Sequence, residues 1–65
     1  MTPATFKAIR ERSGYTQAGL AAFARISPRQ VQMIEAGDRN PGGPLIVLME
    51  LLDAGRIHAV AHRAV

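Results

Sequence analysis

Cysteine is absent from this 65-residue chain, which excludes disulfide staples, thiolate metal ligands and a cysteine nucleophile. The absence is compatible with the reducing cytoplasm, the expected location. Acids are scarce: five Asp and Glu stand against eight Lys and Arg, giving a net charge of +3 and a pI near 10.7. That sign favours polyanionic partners. No apolar run approaches the ~20 residues of a membrane span, and the N-terminus lacks a signal-peptide pattern, so no membrane association is expected. Internal repeats and low-complexity segments are missing. So are a catalytic triad and a glycine-rich phosphate loop, so the chain is not expected to be an enzyme. His58 and His62 share one helical face if the tail is helical. Two imidazoles without a third ligand make a poor metal site, so neither metal nor cofactor is expected. No signature of a small-molecule effector site is evident.

What the chain does have is a dense set of helix start and stop signals, centred on residues 16–37, TQAGLAAFARISPRQVQMIEAG. Thr16 is a good N-cap, and Tyr15 before it can staple onto Leu20. Leu20 and Phe23 share one face. This helix should run from Gln17 to Phe23 or Ala24, with Gly19 weakening it by up to ~1 kcal/mol. Ala24-Arg25-Ile26 makes a turn. Ser27 then caps a helix from Pro28 to about Ala36, with Pro28 at its first position and Gln30 completing a capping box. Ile26 and Val31 occupy the staple positions, Val31 and Ile34 face inward, and Gly37 supplies a left-handed stop. Two short helices joined by about three residues make a helix-turn-helix.

The flanks continue the pattern. Thr2-Pro3 opens a first helix with Phe6 and Ile9 inward, and Ser13-Gly14 ends it. Residues 38–43 form a loop. Pro44 opens an apolar helix in which Leu45, Leu48, Met49 and Leu52 are joined by Ile46, Val47 and Leu51. A helix apolar nearly all round is buried on more than one side, and the surplus face calls for a second subunit. Asp53-Ala54-Gly55 breaks it. Ile57, Val60, Ala61 and Ala64 then recur at helical spacing, in a tail that either packs across a dimer or frays. A domain this small buries only ~60% of its unfolded surface, so a dimer would add useful burial. The fold class expected is all-α: a compact bundle of four to five short helices in one domain over residues 1–65, with 53–65 as a dimerisation tail.

Charge is distributed unevenly. Residues 1–40 carry Lys7, Arg10, Arg12, Arg25, Arg29 and Arg39 against Glu11, Glu35 and Asp38, whereas the remainder is balanced. The positive field belongs to the helix-turn-helix half.

From about Phe6 to Leu52 the chain resembles the Cro/C1-type (XRE-like, lambda repressor-like) helix-turn-helix family of phage and bacterial repressors. The resemblance rests on Phe6-Lys7-Ala8-Ile9-Arg10, Tyr15-Thr16-Gln17, Leu20-Ala21, Ile26-Ser27, Val31, Ile34-Glu35, Gly37 and the run Asn40-Pro41-Gly42-Gly43-Pro44. It implies an ion pair between Arg10 and Glu35 that ties the first helix to the third. It also implies that the helix from Pro28 lies in the DNA major groove, with residues 28, 29, 32 and 33 outward. Arg29 is then the best base contact, since its fork matches guanine O6 and N7. Gln32 is suited to adenine or a phosphate, and Met33 either to a thymine methyl or to packing.

Phosphate contacts are expected from Thr16, Gln17, Arg25, Gln30, Arg39 and Asn40, with Gln17 helped by the free N–H groups of its helix start. Gln30 has a structural competitor in its own capping box. Two departures stand out. Arg25 replaces the glycine frequent at this turn, so the turn is either strained by on the order of 1 kcal/mol or differently shaped. Pro28 removes a polar reader that many relatives carry.

Relatives dimerise through C-terminal helices, so Leu45, Leu48, Met49, Leu52, Ile57 and Val60 are expected at a homodimer contact. The implied function is a sequence-specific transcriptional repressor or autorepressor on an inverted-repeat operator in double-stranded DNA. The bare domain is similar to small phage autoregulators, of which anti-CRISPR-associated repressors are one possibility and antitoxin-type repressors another. The alternative is a protein-interaction module, antitoxin-like or adaptor, on the same fold.

Overall fold

A computed structural model describes residues 1–55 as four helices. They are α1 (Pro3–Arg12), α2 (Gln17–Ala24), α3 (Pro28–Ala36) and α4 (Gly43–Asp53). No strand occurs among the described residues, and the all-α expectation holds. The anticipated tail, with Ile57, His58, Val60 and His62, lies outside the described residues.

Side-chain caps start three of the helices. Thr2 Oγ1 accepts from Thr5 N at 3.0 Å, Thr16 Oγ1 from Gly19 N at 3.0 Å, and Ser27 Oγ from Gln30 N at 3.1 Å. Gln30 Oε1 returns the bond by accepting from Ser27 N at 2.9 Å, so the capping box is complete. The fourth start differs from expectation. Gly42 is the N-cap and Pro44 the second helical residue, one place later than predicted. Gly42 sits at φ 80°, ψ 157°, a region that in practice only glycine occupies.

The stops share one device. After α1, α2 and α3 a single left-handed residue, Gly14, Arg25 or Gly37, reverses the chain. The amide that follows this left-handed residue then bonds back to the last turn: Tyr15 N to Arg10 O, Ile26 N to Ala21 O, and Asp38 N to Met33 O, at 2.9–3.2 Å. This double closure satisfies carbonyls that a helix end leaves open. Arg25, at φ 59° and ψ 42°, is the non-glycine member, so the strained-turn alternative is the one adopted.

Helix α2 packs on α3, and α1 packs on both α3 and α4. Their shared core is Phe6, Ile9, Tyr15, Leu20, Ala21, Val31, Ile34, Met49 and Leu52, with Phe23, Ile26 and Leu45 against its edge. The Tyr15 and Phe23 rings meet at 5.4 Å between centroids. One correction concerns α4. Met49 is completely buried and Leu52 nearly so within the single chain, so neither can form an exposed dimer surface. Those two side chains turn toward the chain's own core. The apolar surplus of α4 falls instead on Val47, 54% exposed, with Ile46, Leu48 and Leu51 half-buried.

Candidate nucleic-acid interface

The interface is built on how firmly α3 is held. Val31 and Ile34 sink into the core, which turns the opposite side of the helix outward. Pro28, Arg29 and Gln32 are exposed on that side, and Met33 is half-buried at its margin. Arg29 and Gln32 therefore lie on the outward face of α3, while Met33 is divided between surface and packing. The capping box and the glycine stop fix where α3 begins and ends.

A buried ion pair fixes α3 to α1. Arg10 Nε donates to Glu35 Oε2 at 2.6 Å, and Arg10 Nη2 donates to Glu35 Oε1 at 3.0 Å. The two side chains are only 9% and 6% exposed. Arg10 Nη1 donates to the Tyr15 carbonyl oxygen at 3.0 Å, tying in the connection between α1 and α2. Gln17 Nε2 adds a fourth donor, to Glu35 Oε1 at 3.1 Å. The cluster thus joins the first three helices. Burial pushes the Glu35 carboxyl up, but hydrogen bonds from Arg10 and Gln17, with the charges of Arg10 and Lys7, outweigh it and hold Glu35 below the ordinary carboxylate value. The hydrogen bond to Glu35 raises Arg10 despite the opposing effect of burial. Burial alone raises the Tyr15 phenol.

The expected phosphate contacts are distributed around this frame. Thr16 and Arg25 are exposed at the two ends of α2, and Arg39 and Asn40 are exposed on the loop after α3. The side chain of Gln17 is half-buried against Glu35, and Gln30 is engaged by its oxygen in the capping box, leaving its amide nitrogen as the available donor. Two ion pairs occur among the described residues. The second is Arg12 Nη2 to Asp53 Oδ1 at 2.7 Å, exposed, joining the ends of α1 and α4. Arg10 and Arg12 are thereby neutralised locally. Among the described residues, the exposed Lys and Arg side chains outside these two pairs are Lys7, Arg25, Arg29 and Arg39, three of them on the helix-turn-helix or the loop after it.

The links from Gln17 to Glu35 and from Arg12 to Asp53 escape sequence reasoning. Their partners lie 18 and 41 residues apart, with no periodic signal connecting them. An open groove of about 420 Å³ lies between the α2–α3 turn and the start of α4. Apolar Ile26, Ile34, Leu45 and Leu48 line it together with polar Arg39 and Asn40. No group of three or more His, Cys, Asp or Glu positioned for a metal is found among the described residues. No described helix is long and apolar enough to cross a membrane.

A family model described as helix-turn-helix matches residues 6–52, most of the chain. No curated protein and no solved structure matches significantly. The matched span runs from Phe6 on α1 to Leu52 on α4 and so includes the ion pair, the helix-turn-helix and the core. The chain belongs to the Cro/C1-type helix-turn-helix family, whose members are DNA-binding regulators and not enzymes.

Proposed function

We propose that the chain is a sequence-specific transcriptional repressor that binds an inverted-repeat operator as a homodimer. The observation that carries this reading is the outward face of α3, where Arg29 and Gln32 are exposed on a helix anchored by Val31, Ile34 and the Arg10–Glu35 pair. Arg29 reads guanine, Gln32 reads adenine, and Met33 touches a thymine methyl at the margin. Thr16, Gln17, Arg25, Gln30, Arg39 and Asn40 set the pose on phosphates. Two copies related by a two-fold axis would place their recognition helices about 34 Å apart. The dimer contact uses the flank of α4 formed by Val47, Ile46, Leu48 and Leu51, with Leu45 at its edge, because Met49 and Leu52 are spent in the core. Repression follows from occupancy of a promoter-overlapping operator, autoregulation being the simplest arrangement. The same exposed Val47 flank supports a second reading, a module that binds another protein.

A fluorescence anisotropy titration tests the proposal, using inverted repeats upstream of the chain's own gene against scrambled duplex at two salt concentrations. The repressor reading expects operator binding at least 10³-fold tighter than scramble and weakening steeply with salt. Equal weak binding to both duplexes, with retained capture of a protein partner, would favour the interaction module.

A further inference from the structure

Glu35 has a use beyond holding α1 against α3, and it rests on the DNA-binding reading above. Its Oε1 accepts from both Arg10 Nη2 and Gln17 Nε2, at 3.0 and 3.1 Å, while Oε2 accepts from Arg10 Nε. A carboxylate only accepts, so the Gln17 amide must turn its nitrogen, not its oxygen, toward Glu35. The amide group is planar and carries two N–H bonds. Fixing one of them on Glu35 fixes the direction of the other. Gln17 is the first residue of α2 and is itself only half-buried, so the cluster reaches the surface there. An acid beside a phosphate-binding donor would ordinarily repel DNA. Arg10 cancels that charge through two hydrogen bonds, so the carboxylate orients the amide without opposing the phosphate.

We propose that Glu35 is a positioning residue for DNA binding: through Gln17 Nε2, the Arg10–Glu35 pair aims the second amide N–H of Gln17 at a DNA phosphate. Gln17 touches the ligand, and Glu35 acts through it.

The test is the effect of Gln17→Ala on binding in two backgrounds. One is the native chain. The other is Arg10→Met with Glu35→Leu, which removes the anchor and strands no charge. Circular dichroism at the titration temperature establishes that each variant is folded. In the native background Gln17→Ala should weaken operator and scrambled duplex alike, about tenfold, as expected for a lost hydrogen bond to a charged group. The salt slope should stay unchanged, because glutamine carries no charge. In the apolar background the same substitution should cost twofold or less. A tenfold loss in both backgrounds overturns the positioning role and leaves the DNA-binding reading standing. No loss in the native background overturns the contact itself. A native chain that binds neither duplex overturns the DNA-binding reading. A measurement on the native chain serves should the apolar background not fold. On adding duplex, one side-chain amide proton of Gln17 should shift in the NMR spectrum while its Glu35-bonded partner stays in place. Equal movement of both, or of neither, refutes the assignment.

Discussion

Truncating Glu35 to alanine should cost more stability than any other single surface-adjacent change in this protein. The substitution leaves the Arg10 guanidinium in a site where the residue is 8% exposed. Two of its donors, Nε and Nη2, lose their acceptors, and only Nη1 keeps the Tyr15 carbonyl. Gln17 Nε2 loses its partner as well. Removing one member of a buried pair costs ~3 kcal/mol or more, most of it from the stranded charge. A 65-residue domain has a total stability on the order of 3–10 kcal/mol, so this one change removes a large share. At roughly 4–8 °C per kcal/mol, the melting temperature should fall by about 15 °C. Thermal and urea unfolding followed by far-ultraviolet circular dichroism measure the effect. The control is Arg10→Met combined with Glu35→Leu, which should recover most of the loss, because an apolar replacement strands nothing. A cost below ~1 kcal/mol for Glu35→Ala would mean that the pair behaves as an exposed one and would refute the reasoning.

Four further outcomes follow from particular residues. Glu35 titrates below its ordinary value of 4.5 in the folded chain, so on acidification the unfolded carboxyl takes its proton first. The stability it supplies should therefore be complete above about pH 4.5 and lost as pH falls through the lower folded-state value; urea midpoints across that range that do not decline would contradict this. Met49→Ala should cost ~3 kcal/mol by opening a cavity in the core, whereas Val47→Ser should change monomer stability by no more than ~0.5 kcal/mol while weakening self-association in sedimentation experiments. Arg25→Gly should stabilise the chain by up to ~1 kcal/mol by relieving the left-handed backbone at φ 59°, and a fall in melting temperature would show that the arginine side chain contributes more than its backbone costs.

Local chemistry makes much of the fold legible in the sequence. Thr2, Thr16 and Ser27 announce helix starts because their oxygens satisfy first-turn amides, and each does so here. Gly14 and Gly37 announce stops because the left-handed conformation costs glycine little. The inward residues of α1, α2 and α3 follow from three- and four-residue spacing. The orientation of α4 did not follow. Apolar residues surround that helix, so periodicity does not say which side meets the core, and packing against α1 decides in favour of Met49 and Leu52. The Arg10–Glu35 pair was available only through family resemblance, since no spacing rule links residues 25 apart. The Gln17 link depends on the angle between α2 and α3, which a linear pattern does not encode. Arg25 is the converse case: its departure from glycine left the turn either strained or differently shaped, and the backbone adopts the strained form.

The stability of the frame and the reading of DNA are separable. The pair holds α3 from the inside, while Arg29 stands exposed on the outside, so changing Arg29 should leave the fold intact. The most direct test of the central claim is therefore selection from a random duplex library with the native chain and with Arg29→Ala. The account predicts that the native chain enriches an inverted repeat whose half-sites lie about 10 base pairs apart, with a guanine in each that the variant no longer demands. Failure of the native chain to enrich any sequence, or enrichment of the identical motif by both proteins, would contradict the claim that the outer face of α3 reads DNA through Arg29.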